Sequence, residues 1–427
     1  MALTARAGLL GLISALGVGL LLPSWTGVLV GTGAILALCG IDLLTAGSIR
    51  SLTIVRKATG NVRLGEPAET TLVITNPGRR AVRGVLRDAW VPSAGAATDR
   101  HPLRVPAGER RSISTALLPT RRGDRRADRV TVRSLGRLGL AARQRSVDAG
   151  GVLRVLPPFH SRKHLPARLA RLRELDGRRA SLVRGAGTEF DSLREYVIGD
   201  DVRSIDWRAT ARAADVMVRT WRPERSQRVL IVLDTGRLSA GRVGDAPRLD
   251  AAMDATLLLS VLATQAGDRV DFLAVDRRVR ASVPGAALPD TVNAMAPLEP
   301  ELVETDYRLL TSEILRRARQ RALVVLLTGL DSGAIRQGLL PVLPMLTARH
   351  RVVLGAVGDP AIGALAQGRD TVQAVYEAAA AERTLAERRE LTRLLGTHGV
   401  QVVDAEPDQL PPRLSDMYLA LKAGGTR

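Results

Sequence analysis

Two apolar runs near the start of the chain constrain its fold more than any other feature. Residues 7–22 contain no charged side chain, and residues 26–46 contain one, Asp42. A helix that spans the hydrocarbon core of a membrane needs ~17–25 mainly apolar residues. Pro23 and Ser24 interrupt the pattern between the two runs. The sequence therefore predicts a transmembrane helical hairpin over residues 1–47.

The charges that flank the two runs predict the orientation of the hairpin. Arg6 precedes it, Arg50, Arg56 and Lys57 follow it, and the connecting loop is uncharged. Basic residues stay on the cytoplasmic side of a membrane. We therefore expect a multi-pass cell-membrane protein with two helices and cytoplasmic soluble domains. A signal peptide is the alternative for the short first run, but no small-residue cleavage site precedes the second run.

Cysteine and histidine usage limits the chemistry of the chain. Cys39 is the single cysteine, which excludes a disulfide framework and a thiolate zinc cluster. The five histidines form no HExxH pair and no other close ligand spacing. We expect no bound cofactor and no histidine-built metal site.

The net charge of +19 lies in the first half of the soluble region. Residues 48–228 hold 38 basic and 18 acidic residues, whereas residues 229–427 hold 23 and 24. Within residues 48–158, short alternating runs are bounded by turn residues, a pattern typical of a small β-sandwich. The sequence predicts a basic β-sandwich-like domain over 48–158, with strands at 70–75, 82–86, 103–105, 111–117, 130–132 and 152–156.

The kind of partner that this basic domain binds is inferred from the aromatic content of the chain and from the position of the domain. The chain has only eleven Phe, Trp and Tyr residues, too few for the stacking platforms of single-strand binders. The domain directly follows the apolar hairpin, where basic side chains meet anionic lipids. The sequence favours an anionic membrane surface over nucleic acid.

A dense signature occupies the linker segment 159–228. Asp200, Asp201 and Asp206 are candidates for a divalent-ion site. Nearby arginines compete for the same oxygens, which favours an ion-pair network that ties the β-domain to the following domain, with Trp207 as a buried anchor. The network consists of Glu189, Phe190, Arg194, Tyr196, Asp200, Asp201, Arg203, Asp206, Trp207 and Arg212.

The signature resembles a known family. Its pattern, GxEFxxLREYxxGDDxRxIDWxAxAR over residues 187–212, is similar to the hallmark of the domain-of-unknown-function-58 family. Arg122-Gly123 and Leu138-Gly139-Leu140 resemble two further elements of that family. Its members resemble von Willebrand factor A domains and are encoded beside MoxR-type AAA+ ATPases. The order of hairpin, β-domain, signature and α/β domain also matches, so the resemblance extends over essentially the whole chain.

Residues 229–427 alternate buried strands and helices, which predicts a mostly parallel doubly wound α/β sheet. No GxxxxGKS, GxGxxG or GxSxG motif occurs, which argues against nucleotide binding and hydrolase chemistry. The resemblance implies that this domain is von Willebrand factor A-like. The predicted strands are 229–233, 271–275, 279–283, 323–327, 352–357 and 400–403, and the predicted helices 249–266, 313–321, 373–396 and 410–423.

The resemblance also implies a metal-ion-dependent adhesion site, with the pattern Asp-x-Ser-x-Ser after the first strand. Asp234 is present, but Gly236 and Leu238 occupy the serine positions. A cation prefers about six oxygens, and this set offers few hydroxyls. We expect a vestigial site that holds no metal. Its weak candidate ligands are Asp234, Ser239 and Asp331, with Thr305 as a further element.

These observations together predict a non-enzymatic, membrane-anchored adaptor that faces the cytoplasm. The resemblance implies a MoxR-type AAA+ ATPase as its partner. Ligands of doubly wound sheets bind at the carboxyl ends of strands, so we expect the contact face at 234–239 and 328–332, with Arg237 as its anchor. Two alternatives stay open: a metal-dependent enzyme that uses the signature carboxylates, and a membrane-associated nucleic-acid binder.

Overall fold

The chain forms two compact units, Met1–Leu156 and Pro157–Arg427. The structure is a computed structural model. It describes residues 2–21, 23–182, 189–198, 200–213, 215–222 and 227–424, without the side chains of 176–182, 189–192 and 220–222.

The first unit begins with two apolar helices, α1 (Ala5–Leu21) and α2 (Trp25–Thr45). By length and composition α2 could cross a membrane, while α1 is equally apolar but shorter. The helices cross closely at Gly31, where an added Cβ would lie 2.7 Å from the Ser14 hydroxyl oxygen. Glycine therefore permits this contact, as small residues do between membrane helices.

The rest of the first unit consists of strands that form two sheets. One sheet has the order β1-β9-β8-β10-β3, with β5 paired to β8 and β6 paired to β5, and the other has the order β2-β4-β7. The strands are β1 (Ala2–Leu3), β2 (Thr53–Arg56), β3 (Val62–Arg63), β4 (Ala68–Thr75), β5 (Val82–Trp90), β6 (Arg100–Val105), β7 (Arg110–Leu117), β8 (Gly123–Leu135), β9 (Ala141–Asp148) and β10 (Val152–Leu156).

The largest apolar cluster of this β-domain is shared by the two sheets. Leu72 and Ile74 of β4 alternate with outward-facing residues and meet Leu86 of β5 and Val132 of β8 in one buried cluster. This alternation is the period-two pattern of half-buried strands. The β-rich domain predicted from the sequence is present, with two sheets around a common core.

Both ends of the helix pair are attached to one turn of this β-domain. Ahead of α1, β1 pairs with β9, and the Thr4 hydroxyl donates to the Gly139 carbonyl at 2.6 Å. Near the end of α2, the buried carboxylate of Asp42 accepts backbone hydrogen bonds from Leu138 at 2.7 Å and Leu140 at 2.7 Å. A third comes from the backbone N–H of Ala141, at 2.9 Å. The turn between β8 and β9 therefore binds the helix pair at two points.

Two arginines of the β-domain satisfy carbonyls at the end of α2. Arg143 Nε donates to the Leu43 carbonyl at 3.2 Å, and Arg80 donates to the Leu44 carbonyl. The last carbonyls of a helix lack partners within the helix and carry partial negative charge. The arginines thus complete the carboxyl end of α2.

Among its described residues, the second unit contains one six-stranded sheet and two two-stranded sheets. Its strands are β11 (Glu189–Glu195), β12 (Met217–Arg222), β13 (Arg228–Asp234), β14 (Arg242–Val243), β15 (Ala246–Pro247), β16 (Arg269–Val275), β17 (Val279–Val283), β18 (Leu323–Leu327), β19 (Arg351–Val357) and β20 (Val400–Ala405). Its helices are α3 (Leu165–Leu182), α4 (Trp207–Thr210), α5 (Arg237–Ala240), α6 (Arg248–Gln265), α7 (Leu288–Met295), α8 (Tyr307–Arg317), α9 (Leu343–Thr347), α10 (Pro360–Leu365), α11 (Val372–Thr397) and α12 (Leu410–Gly424).

The six-stranded sheet has the order β17-β16-β13-β18-β19-β20, parallel except for β17. Helices α8, α9 and α11 pack on one face in a common core, and α6 and α12 contact its strands as a second helical layer. Strands covered on both faces are apolar along their whole length. The fully buried run 229–233 of β13 has this character. The unit is a mixed α/β domain, as the sequence predicts.

A buried ion pair attaches the last helix to the sheet. Lys422 Nζ of α12 lies 2.6 Å from Asp268 Oδ1, and both side chains are almost fully buried. The Tyr418 hydroxyl donates to Asp268 Oδ2 at 2.5 Å, and the backbone N–H of Gln227 donates to Oδ1 at 3.0 Å. The carboxylate of Asp268 thus connects α12 to the start of β13.

Candidate functional site

One buried carboxylate lies where the strand order of the α/β sheet reverses. Asp234 ends β13, whose neighbours β16 and β18 lie on opposite sides, so ligands of such sheets would bind here. Thr305 Oγ1 donates to Asp234 Oδ1 and Thr328 Oγ1 donates to Oδ2, both at 2.5 Å. The backbone N–H of Gly236 donates to Oδ1 at 2.8 Å. Three segments of the chain therefore converge on one side chain.

The electrostatics of this site follow from burial. Burial raises the pKa of the Asp234 carboxyl, and the carboxylate of Asp276 raises it further, while the hydrogen bonds from Thr305 and Thr328 lower it. Burial also raises the pKa of Tyr307, whose hydroxyl lies 3.4 Å from Thr328 Oγ1. The site thus pairs a carboxylate with neutral hydroxyl donors.

The residues around Asp234 do not fit the cation that the resemblance implies. At the first serine position, a Cβ on Gly236 would lie 2.3 Å from Thr305 Oγ1, so glycine allows this threonine to reach the carboxylate. At the second, Leu238 packs against the apolar core. Both carboxylate oxygens already accept hydroxyl hydrogen bonds, whereas a hard cation needs about six oxygen ligands.

The two other candidate ligands make different contacts. Ser239 Oγ donates to the backbone carbonyl of Asp234 at 2.6 Å, and Asp331 Oδ1 accepts the backbone N–H of Ala334 at 3.0 Å. Across the part of the chain that the structure describes, no three His, Cys, Asp or Glu side chains gather where a metal could bind. The arrangement is a hydrogen-bonded carboxylate site.

The predicted partner-binding residue Arg237 lies on the surface of the same rim. The other residues of the segment 234–239 are buried or half-buried, whereas Arg237 is exposed. Its guanidinium lies 2.8 Å from the exposed carboxylate of Glu304, and Leu302 nearby in sequence is also exposed. Arg237 is thus accessible in an exposed ion pair.

A second buried carboxylate beside Asp234 was not predicted from the sequence. Asp276 accepts hydrogen bonds from Thr235 Oγ1 at 3.0 Å and from Arg280 Nη1 at 2.9 Å, and Arg280 also pairs with Glu301. Thr235 lies 41 residues before Asp276 along the chain, and the pairing of β13 with β16 brings the two together because it places the carboxyl ends of both strands side by side.

The signature residues form a hairpin with its own internal contacts. β11 and β12 pair with each other in a separate two-stranded sheet. Asp200 Oδ1 lies 2.5 Å from Arg194, and Asp206 Oδ2 lies 2.7 Å from Arg219. Hydrogen bonds from these arginines lower the pKa of each aspartate. The pairs lie within the hairpin, and the carboxylates do not converge on a shared point.

Two of the aspartates also begin short helical turns. Asp201 Oδ1 accepts the backbone N–H of Arg203 at 3.0 Å, and Asp206 Oδ1 accepts that of Arg208 at 2.9 Å. Aspartate at an N-cap satisfies donors that a helix leaves free. The predicted network members Glu189 and Phe190 have side chains outside the described residues, whereas Tyr196 is half-buried and Arg212 is exposed.

The expectation that Trp207 is a buried anchor is wrong. Its side chain is 70% exposed, and Ile198 is 97% exposed. Val197 and Val202 of the same segment are exposed too. The backbone there is held by the aspartate caps and by the pairing of β11 with β12, so the turn does not depend on burial of its apolar side chains. The signature segment therefore has exposed apolar side chains where buried ones were expected.

The fold and these sites define a two-unit protein with two apolar helices near the N-terminus, of which α2 is long enough to cross a membrane, a β-rich domain and a mixed α/β domain. The family model described as "Protein of unknown function DUF58" matches residues 192–393. This match confirms the resemblance to that family for residues 192–393, which include most of the signature.

Curated relatives are themselves uncharacterised. Uncharacterized proteins of Mycobacterium bovis and Mycobacterium tuberculosis are 27% identical to this chain over 193 residues, which is 44% of the chain and 60% of each relative. The chain thus spans about three fifths of the length of these relatives. The solved CARDB domain of a Pyrococcus furiosus protein matches 25% of this chain and 92% of its own length, with 19% identity and a TM-score of 0.17. A likeness this low carries no argument about fold.

Proposed function

We propose that this protein is a membrane-anchored, non-enzymatic adaptor that binds a MoxR-type AAA+ ATPase. The observation that carries the proposal is the state of Asp234, at the position where doubly wound sheets bind ligands. Its oxygens accept hydrogen bonds from Thr305 and Thr328. The hydrogen bonds thus fix the part of the sheet where the strand order reverses. The exposed residues around it are available for contact with another protein.

We further propose that the α/β domain is von Willebrand factor A-like. The position of Asp234 after the first strand of the domain supports this, and so does the contact that Thr305 makes with it from a later loop. The helices on both faces of the sheet are consistent with the same architecture. Gly236 and Leu238 occupy the two serine positions of the adhesion-site pattern. The domain would then be a variant whose carboxylate binds hydroxyl groups in place of a cation.

The proposed topology is a two-pass membrane hairpin with cytoplasmic domains. Thr4 before α1 and Asp42 near the end of α2 both contact the turn between β8 and β9, which supports ends on one side of the membrane. Arg50, Arg56 and Lys57 follow α2 and favour the cytoplasmic side. The basic β-domain would then lie against the anionic leaflet.

A binding experiment with the full chain in detergent micelles tests the adaptor proposal. A MoxR-type ATPase from the same organism is titrated against the immobilised chain, with and without ATP. We expect saturable binding that Arg237→Glu weakens at least tenfold, or about 1.4 kcal/mol, because arginine is enriched among interface hot spots. Arg349→Glu is the matched control. Arg349 precedes β19 and therefore lies at the amino ends of the parallel strands, whereas Arg237 follows a carboxyl end.

The outcomes separate two parts of the proposal. No binding of the ATPase under either nucleotide condition, by a chain with a normal unfolding transition, would overturn the adaptor function. Binding that Arg237→Glu leaves unchanged would overturn only the assignment of the contact face to this rim.

A further inference from the structure

Arginines gather at the carboxyl end of α2, where the apolar helix pair meets the β-domain. Besides the two arginines that donate to carbonyls of α2, Arg145 Nη1 donates to the Arg50 carbonyl at 2.9 Å, just after the helix. The backbone N–H of Arg137 donates to the hydroxyl of the last residue of α2 at 3.1 Å. The Arg6 guanidinium lies beside Gly139 of the same turn, where an added Cβ would be 3.1 Å from Nη1. We call the following residues the arginine cluster: Arg6, Arg80, Arg137, Arg143 and Arg145.

The segments that form this cluster carry no carboxylate to balance its charge. Residues 2–10, 43–52, 77–83 and 133–145 contain nine arginines and no Asp or Glu. Asp42 adjoins them, but its buried carboxylate already accepts three backbone hydrogen bonds. None of the five cluster arginines forms an ion pair with a described residue. Like charges held together repel each other, so an anion that binds among them is stabilised.

The cluster has more N–H donors than the end of α2 uses. Among the described residues Arg80 and Arg143 each make one side-chain hydrogen bond, whereas a guanidinium has five N–H groups. Arg6 and Arg137 are exposed and make no side-chain hydrogen bond with any described residue. Guanidinium groups bind phosphate through two parallel N–H bonds. The chemistry of the cluster therefore suits a phosphate group.

The surroundings of the cluster favour a phospholipid over a soluble phosphate. Ile41 and Leu44, near the end of α2, are exposed apolar side chains. Leu138 is 48% exposed, although its backbone N–H is bound to Asp42 beside the helix pair. In a bilayer such apolar side chains meet acyl chains, while arginines extend to the headgroups. On the proposed topology, the end of α2 lies at the depth of the cytoplasmic headgroups.

We propose that the arginine cluster is a saturable binding site for the phosphodiester headgroup of an anionic phospholipid. Its N–H groups donate to the phosphate oxygens, and Leu138 lies against the acyl chains. This inference rests on the proposed membrane topology and deepens it. It assigns the contact with the leaflet to five arginines at the end of α2, in place of a diffuse attraction of the whole basic domain.

The test titrates phosphatidylglycerol into the full chain in nonionic detergent micelles and counts bound lipids by native mass spectrometry. We expect saturable binding, about tenfold tighter or more than that of phosphatidylcholine, whose choline cation the cluster repels. The double variant Arg6→Gln/Arg137→Gln should weaken binding about tenfold or more. The matched control Arg104→Gln/Arg110→Gln removes the same charge from exposed arginines elsewhere in the β-domain, and it should change the affinity less than about twofold.

Folding is checked first by unfolding transitions. Arg6→Gln and Arg137→Gln remove no side-chain hydrogen bond between described residues, so a normal transition is expected. Leu138→Ser is a second, independent variant that leaves the backbone hydrogen bond to Asp42 in place. It should weaken phosphatidylglycerol binding about threefold or more, because an apolar contact with the acyl chains is lost.

Four results would overturn the inference. Equal weakening by the two arginine pairs would show a diffuse attraction, and equal affinity for the two lipids would show no anionic site. Inorganic phosphate that displaces the lipid at equal concentration would assign the cluster to a soluble anion. A single-stranded oligonucleotide that binds the parent and not Arg6→Gln/Arg137→Gln would assign it to nucleic acid.

The topology is tested separately, by reporter fusions after Gly47. Reporter activity on the outer side would overturn the topology on which the inference rests. Cytoplasmic reporter activity without selective phosphatidylglycerol binding would overturn this inference alone.

Discussion

Gly236, two residues after Asp234, determines which groups can reach the Asp234 carboxylate. A side chain at Gly236 would collide with the Thr305 hydroxyl, so the glycine is what lets that hydroxyl come within 2.5 Å of Oδ1. A serine there would bring its own hydroxyl and displace the threonine. With glycine at this position, both oxygens of the Asp234 carboxylate accept hydrogen bonds from threonine hydroxyls.

The first prediction concerns the pH dependence contributed by Asp234. Burial raises the pKa of this carboxyl above 3.8, so the folded state binds the proton more tightly than the unfolded state. The resulting stabilisation is fully present below the unfolded pKa and is lost as pH rises through the folded pKa. Asp234→Asn removes this titration. We expect the free energy of unfolding of the parent, relative to the variant, to fall as pH rises through that window in urea unfolding experiments.

The exposed substitution Asp245→Asn serves as the control for this series, and its difference from the parent should be small across the window. A parent-minus-Asp234→Asn difference that rises with pH would mean that the hydrogen bonds outweigh burial.

The importance of Asp234 could be predicted from sequence because it ends a continuous apolar run. Thr305 and Thr328 lie far from it along the chain, and only the parallel pairing of β13 with β18 brings Thr328 to it. Trp207 was predicted to be buried because it was interpreted as the anchor of an ion-pair network between two domains. Its exposure depends on which surfaces surround it, and local sequence carries no information about those.

Among the elements, α12 has the clearest energetic basis for its position. Its buried Lys422 is neutralised by Asp268, which also binds Tyr418 and the backbone of Gln227. A buried charge without its partner is costly, whereas the pair itself contributes little net stability. The pair therefore determines where α12 can dock more than how tightly it does so.

The second prediction tests this pair. Lys422→Met leaves the Asp268 carboxylate buried without its cation and should lower the free energy of unfolding by ~3–5 kcal/mol in urea titrations. The double variant Asp268→Asn/Lys422→Met should lose less than the sum of the two single variants. Arg383→Met, which breaks an exposed pair with Glu387, is the control and should cost no more than about 0.5 kcal/mol. An additive double variant would contradict the coupling.

Element by element, the central α/β strands β13, β18 and β19 were predictable because each is a short apolar run that is buried along almost its whole length. Strands 279–283 and 323–327 match their predicted bounds. β9 was missed, because its polar residues Arg143, Gln144 and Arg145 hide the apolar alternation. The pairing of β11 with β12 was missed as well, since a hairpin whose turn spans more than twenty residues has no short turn signal.

For the whole molecule, the third prediction concerns the membrane topology. Reporter fusions after Gly47 should show cytoplasmic activity, and fusions at Ser24 should show activity on the opposite side. The reason is that uncharged turns cross the membrane while basic flanks remain inside. A second fusion after Ala58 retains Arg50, Arg56 and Lys57, and replacing these three residues with glutamine in that fusion is the matched variant, which should weaken the preference. Activity on the outer side after Gly47 in the parent would contradict the two-pass topology.

The attachment of Asp42 to the turn between β8 and β9 has a consequence for the bilayer itself. Because that carboxylate is held by the β-domain, α2 offers the lipid only residues 25–41, about 26 Å of helix, and the 17 residues of α1 give the same length. A typical hydrocarbon core is about 30 Å thick. On the proposed topology the β-domain cannot move away to relieve this hydrophobic mismatch, so the membrane must thin around the protein, and thinner membranes would be its preferred location.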